Sequence, residues 1–484
     1  MFRLSLLTPV AVAVCIAVAA VLFSKLNLQE SKQDAMVNII RYWNSSISSP
    51  PRPFKKLVVG INSNLDIIVP GVDLLRTLNI SPGRKKNHES LADLNQLQET
   101  FSQYLARGSA AERPFLNKAL YQDIVKAAET LDQTEYFVGG NAALIAKKAS
   151  QLFPSLQIHF VGAVGPKLKA LMPETIELDP ACLAPQDEVH LIMEYQVGEA
   201  WGDSAAPVAN RFVTSFDETN LHMKMLEPFF KVVNSAEFDL IVLSGLHMMD
   251  ALTPDLFVQR LDQFVFLLRG APKSTVSHLE LASMANAVFV KQIAEKVLPT
   301  INSLGLNEQE LVFASKSCGG PHADLFDQEN HGQPDIHKIS DILLWLMKRY
   351  GKSAEQKSES RLSRIHFHSL TYHIIAVVEK AWSNSESAVA AGAQIAGLQA
   401  CDTAELKADL LDLKVPAKFQ LFSGDTEREL DPLRPVISWR KDDILFVLSP
   451  VLVCKKPVKT VGLGDAISAT GLMFSQTQSL GQEI

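Results

Sequence analysis

The chain lacks the marks of several large protein classes. It has no long basic run and no array of interleaved aromatic and basic residues, and its 46 Lys and Arg against 53 Asp and Glu leave a formal charge of -7. Nucleic acid is therefore not an expected partner. Cysteine is scarce: Cys15, Cys182, Cys318, Cys401 and Cys454 are the only five in 484 residues, and no two form a CxxC pair. Neither a disulfide framework nor a zinc knuckle is expected from that scatter. No internal repeat is visible. A hydrophobic content of 47% excludes a disordered chain. It is enough for a large core, whether in two or three units or in one large α/β domain with insertions.

The one long apolar run lies at the start. Residues 4–23, LSLLTPVAVAVCIAVAAVLF, carry no charge, with Arg3 before them and Lys25 after. About 20 apolar residues just reach the length of a bilayer-spanning helix, so a retained signal-anchor competes with a cleaved signal peptide over residues 1–24. Retention is favoured, and the expected location is the endoplasmic reticulum, membrane-anchored or within the secretory pathway. Two sequons, at Asn44 and Asn79, would then be glycosylation acceptors. Residues 25–54 are polar and end in SSISSPPRP, which reads as a tether because consecutive prolines and serines neither continue a helix nor join a sheet.

From residue 55 onward, short apolar runs recur at LVVG, IHFVGAVG, FDLIVLSGL, STVSHLELAS and RIHFHSL. These suit strands buried on both faces. Amphipathic stretches such as SLADLNQLQETFSQYLA and DILLWLMKRY lie between them, and the alternation argues for a layered α/β sheet. DEVHLIMEYQVG breaks the rhythm: its polar and apolar residues alternate as in a sheet with one wet face, which an antiparallel flap inserted into the α/β domain would explain. Residues 321–335 and 351–360 read as surface loops.

Five short stretches carry candidate chemistry, each with a structural alternative. Asn64 and Asp66 follow the first strand, where ligands of α/β sheets bind; an Asx turn is the alternative. Gly139, Gly140 and Asn141 open a helix near Ala142, allowing close approach to backbone amides; tight helix packing would use the same residues. Glu280 in HLELAS and Glu310 in SLGLNEQEL, beside Asn307, suit a hard cation, and Glu310 equally suits the first turn of a helix. Gly462, Gly464 and Asp465 in VGLGDAIS make a loop whose amides face an anion at a helix start, with a carboxylate placed to take a proton; capping is the alternative for Asp465. His366, His368 and His373 in RIHFHSLTYH form a packed group or a face for a purine rather than a metal site.

In their order, NSNLD, VGGNAA, DEVHLIMEY, ANRF, HLELAS, SLGLNEQEL and KPVKTVGLGDAIS resemble the ADP-dependent sugar kinases of the ribokinase-like superfamily. The resemblance implies an α/β/α layered sheet over residues 55–484 with a smaller lid of discontinuous β-rich segments, at about 67–130 and 185–215. It implies transfer of the β-phosphoryl group of ADP to glucose, with Mg2+ assisting and AMP released, by a monomer. Sugar contacts would come from Asn64, Asp66, Glu112, Gly140, Asn141 and His190. Asn141 stands where archaeal relatives carry glutamine. Arg211 would face the diphosphate, and Asn307, His366, Thr460, Val461 and Gly462 would line the nucleotide. Glu280, Glu310 and Asp465 would organise magnesium. Asp465 would be the general base, with Gly462 and Gly464 supplying amides.

Overall fold

The structure is a computed structural model that describes residues 31–327, 333–352, 359–458 and 462–478. The apolar segment at residues 4–23 lies outside the described residues. Among the described residues, no helix is long and apolar enough to cross a membrane. The chain divides into two compact units, one of residues 54–326 and 346–365, the other of residues 1–53, 327–345 and 366–484.

The larger unit contains two sheets joined by a short crossing. Its elements include β1 (Lys56–Ile61), β2 (Asn64–Pro70), α1 (Leu94–Arg107), β3 (Ala111–Pro114), α2 (Lys118–Ala128), β4 (Glu135–Gly139), α3 (Asn141–Leu152), β5 (Gln157–Val161) and β6 (Ile176–Leu178). They continue with β7 (Val189–Tyr195), β8 (Asn210–Ser215), β9 (Leu240–Ser244), β10 (Val276–Glu280), β11 (Ser303–Asn307) and α4 (Glu308–Cys318). Strands β6-β5-β1-β9-β10-β11 lie side by side in that order, each parallel to its neighbour. β1 and β9 are buried almost throughout, as strands covered on both faces must be. The chain leaves β1 first toward β5 and later returns on its other side as β9. The carboxyl end of β1 is therefore a topological switch point, where open α/β sheets bind ligands.

The smaller sheet has the order β3-β8-β7-β2-β4. It is mixed rather than an antiparallel flap: β7 is antiparallel to β8 but parallel to β2, and β3 is parallel to β8. It also begins at Asn64 and takes in residues 135–139, so the lid sheet reaches beyond the expected segments. Alternation divides its faces. Leu65, Ile67, Val69, Leu191, Met193, Tyr195 and Phe212 pack with Leu97, Phe101 and Leu105 of α1 and Ile124 of α2 into one apolar cluster. The residues between them point the other way.

The second unit holds β12 (Tyr372–Val378), α5 (Ser385–Cys401), β13 (Ile437–Lys441), β14 (Ile444–Pro450) and α6 (Leu463–Met473). β14 pairs antiparallel with both β12 and β13. Here two expectations fail. Residues 31–46 are a helix, not a tether. Met36, Ile39 and Trp43 recur at helical spacing and join Ala390, Ala393, Leu452 and Ile467 in a buried cluster, where the Trp43 indole donates to Ser449 Oγ at 3.2 Å. Of the SSISSPPRP run that read as tether, Ser45 and Ser46 end this helix and the rest follows it. Cys401 and Cys454 form a disulfide across 53 residues of sequence, bringing the end of α5 to the strand Leu452–Cys454. Sequence separation hid it, since only the fold brings these residues together. Trp43→Ala should lower stability by about 3–5 kcal/mol through cavity formation. Urea unfolding followed by circular dichroism measures this, and a loss under 1 kcal/mol would show that the helix is not docked.

Candidate active site

Two residues connect β1 in the parallel sheet with β2 in the smaller one: Asn62 and Ser63, both buried. Asn62 Oδ1 accepts from the Ala142 amide at 3.0 Å, holding the start of α3. Ser63 Oγ donates to the Ala163 carbonyl at 2.7 Å. Backbone crowds this crossing. Gly140, the N-cap of α3, has φ 82°, and a Cβ there would meet Ser63 Cα at 2.7 Å. Only glycine fits such a place without strain.

Beyond the crossing, register gathers one group of side chains. Asp66 lies opposite His190, His190 opposite Ser215, and Val213, two residues before Ser215, opposite Glu112. Period-two alternation puts Asn64, Asp66, His190, Glu112 and Arg211 on the face away from the apolar cluster. Asn64 Nδ2 donates to Asp66 Oδ1 at 2.6 Å. Gly139 pairs with Asn64, and a Cβ on it would lie 2.2 Å from Asp66 Oδ1 and 2.3 Å from Asn64 Nδ2. The second glycine of VGGN thus begins the helix, while the first makes room for the amide and carboxylate. Gly140 and Asn141 follow Gly139 directly, as the N-cap and first residue of α3. Arg211 is exposed on the same face, opposite Glu194 and farther along the strands from the Asp66 row.

Charge on this face is unbalanced toward acid. Burial raises the Asp66 carboxyl above its ordinary range, with Glu112 adding to the shift and His190 and Asn64 opposing it. Burial alone would favour neutral His190, but the hydrogen bond and charge of Asp217, with Glu112 and Asp66, hold it protonated, pushed up to about 9. His190 Nε2 lies 3.0 Å from Asp217 Oδ2, and its Nδ1 lies 3.9 Å from Glu112 Oε1. Asp217, Glu188 and Asn220 belong to this network, and sequence reasoning missed them. Their only signals were the run DEVH, with Glu188 two before His190, and an Asp at a helix start in SFDETNL.

At the carboxyl edge of the parallel sheet, β10 ends at Glu280 and β11 at Asn307, and Glu280 pairs with Gly305. Glu280 is buried, with His278 Nε2 at 3.3 Å and the buried Arg364 guanidinium acting on it electrostatically. Glu310 closes a capping box: its Oε2 accepts from the Asn307 amide and its Oε1 from Asn307 Nδ2, both at 2.8 Å, while Asn307 Oδ1 accepts from the Glu310 amide at 3.1 Å. The helix-start alternative for Glu310 is thus realised, and the Asn307 side chain is occupied in the cap.

In the second unit, α6 begins one turn earlier than its glycines imply. Gly462, at φ 68°, is the N-cap, and Leu463, Gly464 and Asp465 are the first helical residues. Gly464 is therefore part of the helix, and Asp465 is a buried first-turn residue rather than the cap. Among the described residues, no side-chain cap satisfies the helix start. Its amides remain an anion-favouring terminus next to a carboxylate. A Cβ on Gly464 would sit 3.2 Å from the His368 ring. His366 is fully buried, its ring against Gly471 of α6 and Gly392 of α5 and within 6.1 Å of His368 and 5.7 Å of His373 between centroids. It packs in the interior and has no open face for a purine. Thr460 and Val461 lie outside the described residues. Among the described residues, no three His, Cys, Asp or Glu side chains form a metal-holding group.

A parallel layered sheet with a smaller sheet branching from its switch point is the ribokinase-like architecture. The hypothetical ADP-dependent phosphofructokinase of Pyrococcus horikoshii OT3 shares the fold, with a TM-score of 0.65 at 17% identity over 88% of this chain and 98% of that one. The ADP-specific Phosphofructokinase/Glucokinase conserved region matches residues 55–474, and the chain belongs to that family. It is 43% identical to the ADP-dependent glucokinase of Bos taurus over 90% of this chain and 87% of that protein. It is 38% identical to the probable ADP-dependent glucokinase of Caenorhabditis elegans over 91% and 89% of the two chains.

Gly139→Ala should cost about 1–3 kcal/mol, because the new methyl must displace Asn64 or Asp66. A thermal-unfolding comparison that finds no change would show the pair is not held as described.

Proposed function

We propose that this protein phosphorylates D-glucose with ADP, forming glucose 6-phosphate and AMP. The observation that carries the sugar assignment is the face of the smaller sheet bearing Asn64, Asp66, Glu112 and His190. An amide, two carboxylates and an imidazolium suit several neutral hydroxyls, each of which donates and accepts. Fructose 6-phosphate brings its own dianion, which Asp66 and Glu112 would repel. The 43% identity to an ADP-dependent glucokinase supports the donor, since no feature of the Gly462–Asp465 turn counts phosphates.

In the mechanism we infer, Asn64, Asp66, Glu112, Gly140, Asn141 and His190 orient the sugar, and Arg211 faces the diphosphate. Asp465 takes the proton of the 6-hydroxyl as that oxygen attacks phosphorus in line. Amides of Gly462, Gly464 and Asp465 hold the charge developing on the transferred group. Magnesium usually keeps several waters and takes one or two carboxylates. Glu280 and Glu310, each already hydrogen-bonded, fit a role of binding those waters rather than the ion directly. When bound, the ion would neutralise phosphate charge. We read the enzyme as a monomer of the secretory pathway or endoplasmic reticulum, released or anchored through residues 1–24. The Cys401–Cys454 disulfide supports this, because such bonds persist in oxidising compartments. So does Asn79, exposed in a turn with φ 55°, whereas Asn44 lies in the docked helix and accepts from Gln394.

Initial rates with ADP or ATP as donor and glucose or fructose 6-phosphate as acceptor test the assignment. ADP with glucose should be the fastest pair, and a preference for fructose 6-phosphate would overturn it. Asp465→Asn should lower kcat by about 100-fold or more with little change in glucose KM; unchanged turnover would exclude it as base. Glycosidase treatment of protein from secreting cells should shift the mass of the wild type but not of Asn79→Gln. A shift that persists in Asn79→Gln would move the acceptor to Asn44.

A further inference from the structure

The Asp217 side chain is 3% exposed, and four groups converge on it. His190 Nε2 donates to Oδ2 at 3.0 Å, Asn220 Nδ2 to the same oxygen at 2.6 Å, and the Asn220 amide to Oδ1 at 3.1 Å. The Glu188 carboxyl makes the fourth contact. Asn220 then reaches the sheet crossing, donating from Nδ2 to the Ser63 carbonyl at 3.0 Å and accepting from the Ser63 amide at 3.3 Å. Glu188 also accepts from the Thr219 amide, at 2.9 Å through Oε1 and 3.2 Å through Oε2. One carboxylate therefore ties a side chain of the smaller sheet to the two-residue link with the parallel sheet.

We propose that Asp217 is a positioning residue for sugar recognition, clamping His190 through Nε2 so that Nδ1–H is presented to a substrate hydroxyl oxygen. The inference rests on the assignment of His190 to the sugar site. Nδ1 lies 3.9 Å from Glu112, too far for a direct hydrogen bond, so its proton is available to a ligand. A protonated ring donates from both nitrogens, whereas a neutral ring bonded to Asp217 through Nε2–H leaves Nδ1 as an acceptor only. Charge on Asp217 thus selects what Nδ1 offers.

Two carboxyls this close do not both ionise. Burial and the neighbouring Asp217 push the Glu188 carboxyl up, so it carries the shared proton; His190 and the hydrogen bond from Glu188 outweigh burial and keep Asp217 low and charged. The remaining groups facing the imidazole are Asp66 and Glu112 from β2 and β3, which favour its charge, and His247, which burial holds neutral at about 4. Because the His190 value is raised, the donor form is fully present below its ordinary value and is lost only as pH rises through about 9.

Asp217→Asn keeps the shape and removes the charge. Glucose KM should rise about tenfold, the scale of one charge-assisted hydrogen bond, with kcat within about threefold of wild type. Asp217→Glu should recover part of the loss. In the wild type, glucose KM should stay flat through neutral pH, and in Asp217→Asn it should begin to climb at lower pH, because burial then opposes the His190 charge with only Glu112 and Asp66 favouring it. Titration of the wild-type His190 ring by NMR reads the same clamp without turnover or substitution. A His190 that titrates near 6.5, or an Asp217→Asn enzyme with wild-type KM and pH profile, would overturn the proposal. If His190→Ala itself leaves glucose KM unchanged, the sugar assignment fails instead.

Discussion

The passage of the chain from β1 to β2 through Asn62 and Ser63 is the constraint on which the sugar-facing surface depends. A strand ending at a topological switch point continues, after two buried residues, as a central strand of a second sheet. Nothing flexible intervenes. Asn62 fixes the start of α3, Ser63 is held by Ala163 and Asn220, and Gly140 lets the backbone of the helix start come within contact distance. The positions of Asn64 and Asp66 follow from this joint. Those of His190 and Glu112 follow by strand register from β2 to β7, and on through β8 to β3.

Each sheet handles polarity in the way its surroundings require. The parallel sheet is buried on both faces, and Glu280 and Asn307 end their strands at its carboxyl edge. The smaller sheet spends one face on packing and keeps the other for charge. The buried acidic groups of this site are tolerable because they are paired: Asp66 with the Asn64 amide, and Asp217, at the helix start after β8, with His190, Asn220 and Glu188. Unpaired, they would carry the desolvation cost of buried carboxylates.

Much of this was legible in the sequence where chemistry is local. Short apolar runs marked the strands, alternation in DEVHLIMEY marked a two-faced sheet, and glycines before a carboxylate marked a helix terminus at Asp465. What was not legible depends on long-range approach. Trp43 meets Ser449 and Cys401 meets Cys454 only after folding, so a docked helix read as a tether and a disulfide as scattered thiols. Three histidines within eight residues were visible, but burial of His366 under two helix glycines was not. Asp217 is the clearest case: it looks like an ordinary helix cap and does cap Asn220, and only strand register shows that it also holds His190.

Following one atom shows whether ADP is the donor and the 6-hydroxyl of glucose the acceptor. Incubation of the purified protein with ADP labelled at the β-phosphorus and with glucose should move the label into glucose 6-phosphate, with AMP released in equal amount. Label that stays in ADP, or that passes to fructose 6-phosphate in preference to glucose when both are present, would contradict it.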